Sequence, residues 1–249
     1  MKTSHKILVF AGIVPVFIVI LTVLSMKDIL EDTGESIAPY SDSHPRVKKE
    51  VLVRDFSKIS TDGIWGIHVI QGDDFSVELE APEKIIEDIK VEKSDDTLFL
   101  VSRKKPFSKL ATTQASVTLP SISEAYLQAC ITLPSISEIH LHGIANLNLS
   151  GFDSEAITMN IQGVSKISGI HNMIQQLTFT GNGVLFLDMY DTTVTNAYIN
   201  YNGVYNMKVT IGGGRLSGQM SGIGTLHCRG DVGINDIQVM SPGRMVFTE

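Results

Sequence analysis

The chain has 249 residues, 43% of them hydrophobic, with a formal net charge of −7 and only two cysteines. The acidic balance argues against a nucleic-acid partner, and two thiols are too few for a disulfide-stapled scaffold. Beyond its first 50 residues the chain is long enough to bury a sizeable core as one domain.

Residues 1–26 form the first segment. Ile7–Met26 carries no charge over 20 consecutive positions and is preceded by Lys2 and Lys6. At 1.5 Å per residue such a helix spans about 30 Å, the thickness of a hydrocarbon core. Lysines before the span and Asp28, Glu31, Asp32 and Glu35 after it favour an N-in, C-out orientation. A cleaved signal peptide is the alternative, with Val23 and Ser25 fitting the small-residue rule, but the apolar run is long for one. The anchor is therefore the expected reading, and no cysteine follows to accept a lipid. Either way the rest of the chain is expected outside the cytoplasm. Residues 27–50 turn polar, with Ser41, Asp42, Ser43 and Pro45, as a linker does.

Residues 51–110 open with Arg54-Asp55-Phe56, then Gly63-Ile64-Trp65-Gly66-Ile67 leading into a strand that ends near Gln71. Gly72-Asp73-Asp74 marks a turn. Phe75, Val77 and Leu79 alternate with Ser76, Glu78 and Glu80, the pattern of a half-buried strand. Pro82–Ile89 suits a helical turn or two, and Ser94-Asp95-Asp96 is a turn before a strand over Thr97–Arg103. The run Arg103-Lys104-Lys105 before Pro106 reads as a short basic loop.

Residues 111–249 are repetitive. The segments 115–128 and 129–142 are identical at nine of 14 positions, which suggests a tandem duplication adding a strand or short coil. Beyond it, Gly143, Gly163, Gly183, Gly203, Gly222 and Gly243 recur at intervals of 20, 20, 20, 19 and 21 residues. Apolar columns accompany them. Four residues before the glycine stand Ile139, Met159, Phe179, Ile199 and Val239; four after it stand Leu147, Ile167, Leu187, Met207, Leu226 and Phe247. Steps of two mean strands with one face inward, and the phase resets at the glycine, which suits a corner because it tolerates positive φ. A period near 20 is too short for helical repeats and predicts a β-solenoid. One such coil cannot bury its own apolar face, so neighbours must stack. Arg244 and Glu249 interrupt the columns in the last coil and read as a polar cap. Cys228 shares an inward column with Leu149, Met189 and Val209, about five coils from Cys130, so both are expected as buried free thiols.

The succession R-D-F-S-K-I, G-I-W-G-I-H-V-I-Q-G-D-D-F-S-V-E-L-E-A and D-D-T-L-F-L, followed by the glycine-spaced coils, resembles a bacterial family, the head GIN domain of putative autotransporter adhesins. The resemblance covers residues 51–249 and implies an all-β, β-helix-like body in an extracytoplasmic protein. It carries no ligand and no catalytic residue with it. No series of amphipathic strands for an autotransporter barrel is recognised in the chain, so secretion through a barrel of its own is not expected.

Glycoside hydrolysis needs two facing carboxyls, and no two acids fall in one column of adjacent coils. The column five after the glycine stacks Asp188, Lys208 and His227. It reads either as a binding face or acid–base relay or, more simply, as an exposed charge pair. His140 and His142 share a strand face but lack a third metal ligand, and Gly212-Gly213-Gly214 reads as a corner. Asn160, Asn182, Asn200, Asn202 and Asn206 suggest a hydrogen-bonded ladder. Of the tyrosines, Tyr201 is inward and Tyr205 is expected exposed.

The expectation is an all-β fold: a right-handed parallel β-helix or solenoid with coils of about 20 residues, behind an N-terminal transmembrane helix. It would be non-enzymatic, with no cofactor or metal, acting in adhesion, scaffolding or envelope sensing. Its partners would be the membrane, through residues 7–26, and an envelope glycan or protein. The expected location is the bacterial cell membrane, single-pass, with the domain facing the periplasm or exterior. Cleavage would make it secreted. The alternative is an extracytoplasmic carbohydrate-active enzyme on the same scaffold.

Overall fold

A computed structural model describes residues 45–102 and 127–248. The strands are β1 (Arg46–Glu50), β2 (Lys58–Gln71), β3 (Ser76–Pro82), β4 (Ile89–Ser94), β5 (Thr97–Ser102), β6 (Leu127–Leu133), β7 (Glu138–Ser150), β8 (Asp153–Gly212), β9 (Arg215–Asp231), β10 (Ile234–Val239) and β11 (Arg244–Thr248). A single turn of helix, α1 (Glu83–Ile86), follows β3. The described fold is all-β, and no helix in it is long and apolar enough to cross a membrane. The expected span at residues 7–26 lies outside the described residues, as do Arg103–Lys105, Glu249 and the first copy of the duplication up to residue 126.

All strands belong to one sheet, ordered β1-β3-β6-β2-β7-β8-β9-β10. From β2 onward the pairing is parallel and in register over whole repeats: Ile59 opposite Ile139, and Ile139 opposite Met159. The 60-residue β8 folds back on itself. Lys208 bonds Asp188, and the Thr210 hydroxyl donates to the Tyr190 carbonyl, both pairs 20 residues apart. Each repeat thus lies as a rung on the one before it. The inward positions form one continuous core, with Ile59, Ile139, Met159, Phe179 and Ile199 all fully buried.

The glycine column holds the corners. Gly143, Gly163, Gly183, Gly203 and Gly222 have φ between 100° and 149°, a region that side chains rarely adopt. Space is a second constraint, because a Cβ on Gly183 would overlap the carbonyl oxygen of Gly163. The column also extends upstream. Gly63, with φ 119°, is in register with Gly143, so β2 is a rung of the same stack although 80 residues separate the two glycines. The 80 residues between Gly63 and Gly143 hide that period in the sequence.

The two arms of β2 are covered differently. Lys58–Asp62 pairs with β5, which carries β4 antiparallel to it; Trp65–Gln71 pairs with β6, which leads to β3 and β1. At the other end the register expected for Gly243 is overturned. Arg244 lies opposite Thr225 and Phe247 opposite Cys228, so Ser241 occupies the place that the repeat assigns to glycine. A turn closed by Gly243 N–H bonding the Met240 carbonyl (2.8 Å) replaces the usual corner, and β10 before it and β11 after it both pair with β9 at the same offset of 19 residues. Phe247 is 56% exposed in the column where Cys228 is fully buried. The apolar end is only partly capped by Arg244, whose Nε donates to Thr225 Oγ1 at 3.0 Å.

Two further expectations are corrected. Tyr205 is 3% exposed, because the position two after the glycine is also inward: Trp65, Ala145, Ser165 and Leu185 precede it there. That column mixes large, small and polar residues, so hydrophobicity alone does not mark it. Volume compensates within it, since a Cβ on Gly224 would lie 2.7 Å from the Tyr205 ring. Cys130 is exposed on β6 rather than buried, whereas Cys228 is buried as expected, and neither is in a disulfide. Burial pushes the Cys228 thiol up to about 11.

Two predictions follow from the corner and the core. Gly183→Ala carries both a backbone cost and a steric overlap, whereas Gly151→Ala, at φ 79° with nothing near its Cβ, carries only the first. Urea unfolding should show a loss of about 1 kcal/mol for Gly151→Ala and roughly 2 kcal/mol or more for Gly183→Ala; equal losses would remove the steric argument. Tyr201 is buried with its hydroxyl unpartnered, and burial pushes its phenol up to about 12. An unfolded phenol ionises near 10, so the folded state holds more protons and stability falls as pH rises from about 10 to 12. Tyr201→Phe should flatten that fall while leaving neutral-pH stability unchanged or higher, measured by urea titrations at a series of alkaline pH values.

Candidate functional site

The second arm of each rung, after the glycine, turns three residues outward. The middle outward column is the polar one singled out from sequence, and it begins one rung earlier, at His68. Asn148 lies beside it, its Nδ2 3.3 Å from His68 Nδ1. Further along, Lys208 Nζ donates to Asp188 Oδ2 at 2.9 Å, with both side chains 40% or more exposed. The hydrogen bond to Asp188, then its negative charge, raises the Lys208 pKa. The other carboxylate oxygen, Oδ1, accepts the Tyr190 N–H at 3.3 Å. His227 lies opposite Lys208 in the sheet, but no hydrogen bond or ion pair joins them among the described residues. The ladder therefore brings two of its three residues together. Asp188 has both oxygens engaged, which suits a cross-rung clamp better than proton transfer.

Tyr190, two residues from Asp188, was missed by sequence reasoning. Arg229 lies over its ring, 4.6 Å from guanidinium carbon to centroid, and Lys208 Nζ is 5.5 Å from the same centroid. One Arg229 nitrogen donates to the Tyr190 carbonyl at 2.5 Å. The phenol oxygen is 3.1 Å from Thr248 Oγ1, so Tyr190 straps four successive rungs. Its only sequence signal is its column, which it shares with Thr210 and Arg229.

The first arm, before the glycine, faces outward elsewhere. Here Gln176, Thr178, Asn196, Tyr198, Arg215 and Ser217 line an open groove of about 540 Å³ beside the Gly213-Gly214 corner. Tyr198 is 45% exposed, so it takes the place that sequence reading gave to Tyr205. Arg215 NH1 pairs with Asp236 Oδ2 at 3.2 Å, and its backbone N–H donates to Asn196 Oδ1 at 3.0 Å.

The other sequence candidates serve the scaffold. His140 Nε2 is 2.8 Å from Glu138 Oε1, and no group of three metal-ligating side chains occurs among the described residues. The asparagines are spread over three columns rather than one ladder: Asn160 is bonded by the Thr180 hydroxyl, and Asn202 by Ser221. The fully integrated asparagine is Asn172. It is 2% exposed, donates to Thr192 Oγ1 (2.9 Å) and the Leu149 carbonyl (3.0 Å), and accepts the Phe152 N–H (2.9 Å). It satisfies buried backbone at a corner, as such groups must.

Residues 55–245 match the family described as "Putative auto-transporter adhesin, head GIN domain". The chain belongs to this family. Among solved structures, a putative adhesin from Bacteroides fragilis is similar at 16% identity and TM-score 0.57, covering 83% of this chain and 98% of that one. A putative lipid binding protein from Parabacteroides distasonis is similar at 13% identity and TM-score 0.46, over 82% and 98% of the two chains. A putative adhesin from Parabacteroides merdae follows at 14% and 0.43, over 84% and 98%. No curated protein matches. At these identities the first likeness speaks for the fold alone.

If Asp188–Lys208 is a surface clamp, solvent screening leaves it little energy. Asp188→Asn and Lys208→Met should each change unfolding stability by less than about 0.5 kcal/mol, and the double variant should show a coupling of a few tenths. A coupling above about 2 kcal/mol in a double-mutant cycle would show the pair to be more than a clamp.

Proposed function

We propose that the head GIN domain of this chain is a non-enzymatic binding module, wound as a right-handed β-solenoid and tethered outside the cytoplasm by residues 7–26. Its work is adhesion or scaffolding at the cell envelope. The observation that carries this reading is how the outward ionisable groups are used. The carboxylate at the centre of the ladder is spent on Lys208 and on the Tyr190 N–H, and Arg229 is held by Tyr190. A surface whose charges brace neighbouring rungs is rigid and broad, which suits recognition of an extended partner. The family description and the adhesin name of the Bacteroides fragilis relative support the same direction. The uncharged run of Ile7–Met26 behind two lysines supports the tether.

The test uses the full chain in membranes and isolated envelope glycans and proteins as probes. After a carbonate wash, the intact N-terminus should stay with the membrane fraction; its release would remove the tether. Incubation with the envelope probes should give retained ligand without released product. Turnover that survives dialysis and is abolished in Asp188→Asn would instead establish the carbohydrate-active enzyme reading.

A further inference from the structure

The groove before the glycine corner lies apart from the network of Asp188, Lys208, Tyr190 and Arg229. Its floor is Leu177 and Ala197, both buried, and its walls rise from three rungs. Thr178, Tyr198 and Ser217 stand on one outward column, and Tyr198 lies directly opposite Ser217. Asn196 and Arg215 stand on the next. The groove stays open because Gly213 and Gly214 bring no side chain over it. A Cβ at Gly214 would overlap the Thr195 carbonyl oxygen, so the corner cannot easily be filled by substitution.

The lining narrows the ligand. Arg215 is the cationic side chain of the groove, and Asp236 meets its charge, which leaves little net attraction for an anion. The strands beneath, β8 and β9, are hydrogen-bonded to each other, so an added peptide strand finds no free edge there. What remains is a half-exposed aromatic ring, with Ile234 as a second half-exposed apolar side chain, among hydroxyl and amide groups. Asn196 engages its Oδ1 internally and its Nδ2 has no partner among the described residues, while Ser217 donates its hydroxyl to the Ala197 carbonyl at 3.4 Å and keeps its oxygen as an acceptor. A flat ring with donors and acceptors around its margin matches a ligand with an apolar face and hydroxyls at its edge. The volume of about 540 Å³ falls within the range of small-ligand sites.

We propose that this groove holds a neutral glycan, with one sugar ring lying on Tyr198 and its hydroxyls meeting Asn196, Thr178 and Ser217. The proposal rests on the binding-module reading and names the class of partner for it.

The full chain is tested against immobilised neutral oligosaccharides of hexoses and N-acetylhexosamines, with acidic oligosaccharides and intact envelope alongside. The wild type should capture at least one neutral glycan. Tyr198→Ala should weaken that capture about tenfold or more, while Tyr198→Phe, which keeps the ring, should stay within about threefold. Phe186→Ala, an exposed aromatic on the other arm, should leave it unchanged and controls for general stickiness. Unchanged circular dichroism of Tyr198→Ala would show that its loss is local. Capture of acidic glycans alone, or capture indifferent to Tyr198→Ala, overturns the groove assignment while leaving the binding module standing. Capture of neither glycan nor envelope overturns both.

Discussion

The fold depends on how closely one rung can lie on the next at its tightest corner. At the glycine column the carbonyl oxygen of each glycine occupies the place where a Cβ of the following glycine would sit. That approach keeps the pairing of both arms in register through Gly63, Gly143 and Gly163 and again through Gly203 and Gly222. Because register in a sheet decides which face each side chain takes, one backbone contact orders the whole core. The buried columns and the outward ladders are both its consequences.

The two ends of the stack solve the edge problem differently. Next to β2, hydrogen-bonding capacity is satisfied by β5 on one arm and β6 on the other, with β4, β3 and β1 beyond them. β1 carries Arg46 and Lys48, paired with Glu80 and Glu78 of β3, as charged strands at sheet margins commonly are. At the far end β10 and β11 each pair with β9 alone, and Phe247 is left half uncovered above Cys228. The unbroken offset of 19 residues from β10 to β11 puts Phe247 there.

Outward polar side chains join rungs on both arms, but the two arms leave different surfaces. After the glycine, side chains brace successive rungs through Asp188, Lys208, Tyr190 and Arg229. Before it, side chains also join rungs, as Ser221 does with Asn202 and Arg215 with Asp236, but Tyr198 stands half-exposed beside a groove. The same repeat thus supplies a stiffened surface and a receptive one, separated by a corner without side chains. In a domain whose body is a stack, a local site needs such a departure from uniformity, and the Gly212–Gly214 corner is where the interval between glycines shortens from 20 to 19 residues.

The amino-acid sequence by itself determined the period, the strand character, the inward columns at four positions on either side of the glycine, and the burial of Tyr201 and Cys228. These are local signals, written in alternation and spacing. It also carried the family resemblance, since the order of its motifs survives in one dimension. The membership of β2 in the stack, the burial of Tyr205, the exposure of Cys130 and the register of the last rung were decided only by the tertiary structure. Each depends on which residues are brought opposite one another across 80 residues, across a chemically mixed column or beyond an irregular turn. The groove is the fullest example. Gln176, Asn196 and Arg215 are unremarkable where they stand in the chain, and they become one surface only because rungs of 20 and 19 residues place them side by side.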